Sequence, residues 1–276
     1  MRNHRRIWHR ARRHAAFGSV WVLRAAAFLL LFLPIVLVIL LSFSGDTYTM
    51  LPPRSYSLRW YWNIFERNEF VSSFLTSLVV AGLTTPISVA MGTLAAYGLW
   101  KHPARGAREL ETLLMSPILL PLVVTGLALL VFFSRGHFGS GLSNIVIAHV
   151  IITFPYSMRA VLAALSRHDR QLDEAAASLG VRPWASFVHV TLPLIRPGLF
   201  AGALFSFVMS FDDFATTIFL ITPDTKTLPI AIYQYMEFNL DPTVSAVSAV
   251  LVLIAIGGVL LVERVIGMDR FVGLRA

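Results

Sequence analysis

Six nearly uncharged apolar stretches constrain this chain more than any other feature. They span residues 22–43, 75–99, 112–134, 142–165, 199–220 and 244–266. At a rise of about 1.5 Å per residue, each is long enough as a helix to cross a hydrocarbon core of roughly 30 Å. Backbone inside lipid must satisfy its own hydrogen bonds, which makes helices the default crossing. A closed barrel would need strands of about 10 residues with alternating polarity, and these runs do not alternate. The expectation is an all-α polytopic membrane protein with six transmembrane helices.

The charges agree with that reading. Only 14% of the 276 residues are charged, against about 25% in soluble domains. The chain has no cysteine, which excludes disulfides and thiolate metal sites. A net charge of +8 would suit a nucleic-acid partner, but most of the charges flank apolar runs, as membrane orientation requires. Arg2, Arg5, Arg6, Arg10, Arg12 and Arg13 precede the first run and read as its basic flank, not as a nucleic-acid arm. The run Val22–Phe43 exceeds the 7–15 residues or so of a signal-peptide core, so it reads as an uncleaved first span.

With the N-terminus placed in the cytoplasm, 18 of the 23 Lys and Arg fall inside and five outside, a strong positive-inside bias. Both termini are then cytoplasmic. The expected organisation is a basic N-terminus (1–21), a single permease domain (22–268) with a cytoplasmic loop at 166–198, and a cytoplasmic tail (269–276).

Pro34, Pro86, Pro117, Pro121 and Pro155 fall within the spans. Each removes a donor and is expected to kink or break its helix. Pro117 and Pro121 together predict an irregular turn early in the third span. Ala81, Gly82, Ala90, Gly92, Ala95, Ala96 and Gly98 in the second span would allow close helix approach. Residues 57–70, with Trp60, Tyr61, Trp62, Phe65 and Phe70, read as a short amphipathic helix at the outer interface. Residues 221–243 read as an outer loop.

Between the fourth and fifth spans, residues 173–197 read DEAAASLGVRPWASFVHVTLPLIRP. Asp169 suits a helix cap, the alanines favour helix, and Gly180 suits a left-handed stop. Arg182-Pro183-Trp184 starts a second short helix. Its apolar residues Trp184, Phe187, Val188 and Leu192 are expected to rest on the membrane bundle. A small alanine face beside Glu174 has the character of a helix-in-groove contact. The chain lacks its own engine of the P-loop type. That motif needs lysine after glycine, and neither lysine, Lys101 or Lys226, follows one. No His-Glu-x-x-His or Gly-x-Ser-x-Gly motif occurs either.

Asp212 and Asp213 sit inside the fifth apolar stretch. A carboxylate at membrane depth costs about 2.5–3.5 kcal/mol on insertion scales, and such residues line a path or pair with a cation. Successive helix positions diverge by about 100°, so the two face one ligand only if the helix breaks. The pair is read either as a substrate path or as a structural support of a broken helix or subunit interface. His149 reads as a hydrogen-bonded packing residue.

Glu174-Ala175-Ala176, then Gly180, then Val190-x-Leu192-Pro193 resembles the EAA loop of ABC importer permeases, with valine where isoleucine is usual. The whole layout resembles the permeases of type I importers. Ser210-Phe211-Asp212-Asp213, Thr222-Pro223 and Leu228-Pro229-Ile230 look like the spermidine/putrescine-type second permease subunit. The resemblance implies a bacterial inner-membrane subunit that translocates a polyamine or related cationic amino compound. It implies as partners two ATPase subunits, a second permease and an external binding protein. ATP and Mg would be bound by the ATPases and no cofactor by this chain. Asp173, Glu174, Ala175, Ala176, Gly180, Leu192 and Pro193 would form the ATPase-docking loop. A self-contained secondary transporter or channel is the alternative, though the chain shows no inverted repeat of the kind such proteins carry. A membrane-embedded enzyme would need a nucleophile–base or metal constellation, and none is recognisable.

Overall fold

The computed structural model describes residues 2–102, 106–136, 139, 141–167 and 169–266; the expected tail at 269–276 lies outside the described residues. The chain divides into two compact units: one made of the chain up to Arg67 together with Phe238 onward, the other of Asn68–Glu237.

The first unit holds α1 (Arg2–Ser42), α2 (Arg59–Glu66) and α12 (Thr243–Ile266). The basic segment before residue 22 continues helically into the first span. α2 is the helix expected at 57–70, shortened: a new helix begins at Asn68, so Phe70 belongs to the next element. Trp60 is buried and donates from its indole N–H to the Ser44 carbonyl at 2.8 Å. Tyr61 and Ser42 share a hydroxyl–hydroxyl bond of 2.7 Å. Asn63 Nδ2 donates to Thr243 Oγ1 at 2.9 Å, tying α2 to the start of α12. Trp62 and Phe65 stay exposed, the amphipathic character that an interfacial helix needs.

The second unit holds α3 (Asn68–Lys101), α4 (Ala107–Leu119), α5 (Leu122–Gly136), α6 (Gly141–Leu165), α7 (Arg170–Ser178), α8 (Pro183–Ser186), α9 (Leu192–Leu194), α10 (Arg196–Asp212) and α11 (Leu228–Phe238). A π-helical turn, Phe187–Thr191, joins α8 to α9. The core is α3, α6 and α10. α3 and α6 run parallel: Ser88 meets Thr153 through hydroxyls 2.8 Å apart, and Gly92 meets Ser157 and Met158 one turn further on. α10 runs antiparallel to α6, with Gly198 against Ala160 and Ala164, Gly202 against Ser157, and Ser210 against His149. Parallel neighbours require the intervening chain to return across the layer, which α4 and α5 do.

Small residues make this packing possible. The buried positions of α10 are Gly198, Gly202, Ser206 and Ser210, spaced by four and therefore on one face. A Cβ on Gly202 would lie 3.0 Å from the Ser157 Cα. Hydroxyls stitch the contact: Ser157 Oγ donates to the Gly202 carbonyl at 3.1 Å and lies 2.8 Å from Ser206 Oγ. This small-x-x-x-small pattern is a membrane packing signature that the sequence carries in α10 as well as in α3. Among the small residues expected to matter in α3, Ala81, Gly92 and Ala96 are buried, whereas Gly82 and Gly98 have nothing within 4 Å of where a Cβ would stand. Apolar clusters lie toward both ends of the core: Val80, Phe133, Ile145 and Leu220 at one, Ala96, Met158, Val161, Leu165 and Ile195 at the other.

Among the described residues, three helical segments are long and apolar enough to cross a membrane alone: Leu23–Ser42, Asn68–Lys101 and Gly141–Leu165. Two bent pairs bring the number to five: α4 with α5, at 99°, and Pro183–Leu194 with α10, at 71°. The shorter apolar stretch Thr243–Gly258 lies in the sixth predicted region. The irregular turn expected from Pro117 and Pro121 is the break at Leu120–Pro121. Pro34, Pro86 and Pro155 do not break their helices, which continue through them. The fifth span, expected to reach residue 220, stops as a helix at Asp212, and the expected outer loop at 221–243 contains α11. The helix ends where Asp213 takes an extended conformation and turns the chain.

Candidate functional site

From Asp169 onward the loop between α6 and α10 forms an elbow of two short helical arms. Asp169 caps α7 and accepts the Gln171 N–H at 3.0 Å, a contact worth about 1 kcal/mol in helix stability. The far end closes as the left-handed stop expected at Gly180. Gly180 has φ +78°, and its N–H reaches the Ala177 carbonyl while Val181 N–H reaches that of Ala176. These paired bonds satisfy the last carbonyls of the helix. Pro183 then opens the second short helix as expected, its missing N–H being no loss in a first turn.

The two arms of the elbow are clasped by Asp173. Its Oδ1 accepts from Ser186 Oγ at 2.7 Å and from Thr191 Oγ1 at 3.2 Å. Ser186 and Thr191 are both buried, so this carboxylate points inward, onto the π turn. Glu174 and Ala175 are exposed, Ala176 half-buried. Leu192 and Pro193 are also half-buried and belong to the second arm. Phe187 packs on Tyr97 of α3 with ring centroids 4.7 Å apart and, with Val188, is half-buried. Trp184 departs from expectation. It is 72% exposed and lies against Phe187 at 5.6 Å, on the outside of the elbow. With Leu172, Leu179 and Val181 also exposed, the elbow carries an apolar patch beside Glu174.

Asp173→Ala would leave two buried hydroxyls without their acceptor, at a cost of about 1–3 kcal/mol. The amides of α7 are then expected to exchange with deuterium roughly 5- to 150-fold faster, with α3 and α6 unaffected. An unchanged exchange pattern would show that the clasp does not hold the elbow.

The acidic pair is split by the fold. α10 ends at Asp212, and Asp213 takes an extended conformation with ψ 116°. Asp213 is buried, and its carboxylate is engaged by the chain. Oδ2 accepts Thr217 N–H at 2.9 Å, Thr217 Oγ1–H at 2.9 Å and Thr216 N–H at 3.2 Å. It thereby caps the 3₁₀ turn Thr217–Phe219. The turn is pressed between α6 and α5, where Gly126 lies so close to Thr216 that a Cβ would come within 2.9 Å of its Cα. His149, fully buried on α6, is the hydrogen-bonded packing residue expected. Its Nδ1 is 2.8 Å from Ser210 Oγ, and its Nε2 is 2.8 Å from Thr217 Oγ1 and 3.4 Å from Asp213 Oδ2.

Asp212 is exposed, at the end of a stripe in which Leu204 and Val208 are also exposed. It lies 16 residues beyond Arg196, about 24 Å along the helix. The helix break separates the two carboxylates into different environments. The signals for that break, Asp213 followed by Thr216 and Thr217, are present in the sequence but are not distinctive there.

The relations to known proteins agree with this architecture. The family model described as "Binding-protein-dependent transport system inner membrane component" matches residues 55–267. The putrescine transport system permease protein PotI of Escherichia coli (strain K12) is 29% identical over 248 residues, 87% of this chain and 88% of that protein. A probable molybdenum ABC transporter permease protein of Haloferax volcanii is 35% identical over 206 residues, 71% of this chain and 76% of that protein. The crystal structure of a bacterial ABC transporter involved in the import of the acidic polysaccharide alginate contains a chain that superposes with a TM-score of 0.67. The match covers 91% of this chain and 95% of that one, and at 18% identity the likeness is one of fold. With an all-α bundle of that fold, an elbow between the fourth and fifth spans and a family match over most of its length, this chain belongs to the inner-membrane components of binding-protein-dependent transport systems.

Proposed function

We propose that this chain imports a small organic cation of the polyamine type, as one of two permease subunits around a shared path. The observation that carries the proposal is the exposed Asp212. Its depth along α10 places it within a hydrocarbon core of roughly 30 Å if Arg196 marks the interface. A carboxylate facing lipid there would cost about 2.5–3.5 kcal/mol. It therefore faces a polar path or a second protein surface, and a path lined by carboxylate favours a cation. The name of the Escherichia coli relative supports the same class of cargo.

In this proposal the elbow faces the cytoplasm, as do both termini. Two ATPase subunits dock on it and bind ATP and Mg, while an external binding protein delivers the cargo. Glu174, Ala175 and Ala176 supply the contact face, Gly180 the stop that shapes it, and Asp173, Leu192 and Pro193 the frame behind it. Membership of a binding-protein-dependent family leaves no place for the self-contained transporter or channel.

Uptake by the assembled transporter tests the cargo. Asp212→Asn is expected to raise the KM for labelled putrescine by roughly tenfold or more, about 1.4 kcal/mol of lost attraction, with assembly intact. Molybdate uptake is the counter-experiment, prompted by the Haloferax volcanii relative. Saturable molybdate transport, with putrescine uptake absent, would overturn the cationic assignment.

A further inference from the structure

We propose that Tyr233, Phe214 and Glu237 form a receiving site for an organic ammonium group, placed ahead of Asp212 on the cargo's way in. This rests on the reading above that the cargo is an organic cation.

α11 buries Leu228, Ile230, Ala231 and Tyr235, while Tyr233 and Glu237 are exposed. Those two are four positions apart, so they share a face of the helix, and the Tyr233 hydroxyl donates to the Glu237 carboxylate. That bond draws the phenol proton toward the carboxylate and leaves more electron density on the ring. The ring centroid of Phe214 lies 4.9 Å from that of Tyr233, with the planes at 50°. Rings at this angle are not stacked face to face, and Tyr233 keeps 44% of its surface exposed. A cation within about 6 Å of a ring centroid is attracted by the ring quadrupole. A carboxylate has about four acceptor positions; the phenol takes one, so Glu237 can accept an ammonium N–H as well. Among the described residues it forms no ion pair that an arriving ammonium would have to displace.

The packing of α11 sets where this group lies relative to Asp212. α11 is laid along α3 in the opposite sense. Leu228 N–H donates to Ser77 Oγ at 2.8 Å, and the Tyr235 ring, seven residues later, packs at 5.3 Å on Phe70, seven residues earlier in α3. The end of α10 meets the same helix between these points, with the Phe211 ring 5.9 Å from that of Phe74. Measured along α3, Asp212 therefore stands near the level of Phe74, Tyr233 closer to Asn68, and Glu237 at about Asn68 itself. From Phe74 to Asn68 is six residues, about 9 Å. In the orientation proposed above Asn68 is the outer end of α3, so an ammonium arriving from outside meets Glu237 and Tyr233 before Asp212. The order is carboxylate, aromatic pair, carboxylate. An aromatic face holds a cation more loosely than a fixed charge does, which suits a group that must be bound and then passed on.

A series of side chains at position 233 tests the site, read by uptake in the assembled transporter with recovery of the ATPase as the check on assembly. Tyr233→Leu is expected to raise the KM for labelled putrescine about 3- to 30-fold, with little change in kcat. Tyr233→Phe keeps the ring and loses the bond to Glu237, and its KM is expected to fall between those of the leucine variant and the parent. Tyr233→Trp is expected to match the parent or lower the KM, since indole offers the strongest of the three faces to a cation. Glu237→Gln is expected to raise the KM to a similar degree as Tyr233→Leu. A tyrosine that only anchors α11 at the membrane interface would not produce this order. A parental KM in Tyr233→Leu, or a tryptophan variant as impaired as the leucine one, would overturn the proposal. If Tyr233→Leu does not assemble, Tyr233→Phe and Glu237→Gln decide, and a parental KM in both has the same consequence. The cargo reading fails separately. A parental KM in Asp212→Asn with the ring order intact removes only the Asp212 contact, whereas molybdate transport without putrescine uptake removes both.

Discussion

Glu174→Lys is expected to strip the chain of its ATPase subunit and to abolish uptake. Glu174 sits on the exposed side of α7, beside Ala175 and in the neighbourhood of Leu172, Leu179, Val181 and Trp184. These apolar side chains are too prominent to be left in water around a helix of nine residues; Leu179 alone is 84% exposed. A contact that covers them also desolvates the carboxylate. Disrupting a buried, hydrogen-bonded charge pair at an interface costs about 2–5 kcal/mol, roughly 30- to 4000-fold in affinity. Reversing the sign adds repulsion to that loss. Purification on a tagged chain should recover the proposed second permease without the ATPase, and labelled-substrate uptake should fall to background. Normal ATPase recovery with normal uptake would remove the elbow from its assigned role.

Gly92→Leu is expected to prevent the chain from folding. A Cβ at this position would lie 2.7 Å from the Met158 backbone N and 2.8 Å from the Ser157 Cβ. Those neighbours are backbone and the root of a side chain, so no rotamer change relieves the clash. α3 and α6 would have to separate, weakening the Ser88–Thr153 bond one turn away. Overpacking of this kind costs about 1–3 kcal/mol for modest insertions and more where backbone is involved. Little or no monodisperse protein should appear on size-exclusion chromatography in detergent, and any that does should melt well below the parent. Gly98→Leu is the control, since nothing lies within 4 Å of its Cβ direction. Equal yields from the two variants would mean that α3 and α6 are not packed at backbone distance.

These two positions also mark what could be read from the sequence. Long apolar stretches locate helices because lipid leaves the backbone few options, and the elbow is legible because its signals are local. Asp169, Gly180 and Pro183 act on residues within a few positions of themselves. The helix break at Asp213 is different. Its turn is contacted by His149, far away in sequence, and closely approached by Gly126. An aspartate followed by two threonines is common enough to pass unnoticed until α6 is placed beside it. Trp184 runs against expectation for a related reason. Its apolarity indicates burial, but the elbow's fold turns Phe187 onto Tyr97 and leaves the indole outside. The four-residue spacing of Gly198, Gly202, Ser206 and Ser210 is present in the sequence and identifies the face of α10 that meets α6.

The contact of α3, α6 and α10 has a mechanical corollary. Where these helices meet at Gly92, Gly198 and Gly202 they touch at backbone distance, so one cannot slide over another there without breaking the interlocked hydroxyls. Such a trio behaves as a keel. In the proposed transporter, a push at the elbow is then expected to tip it as a piece.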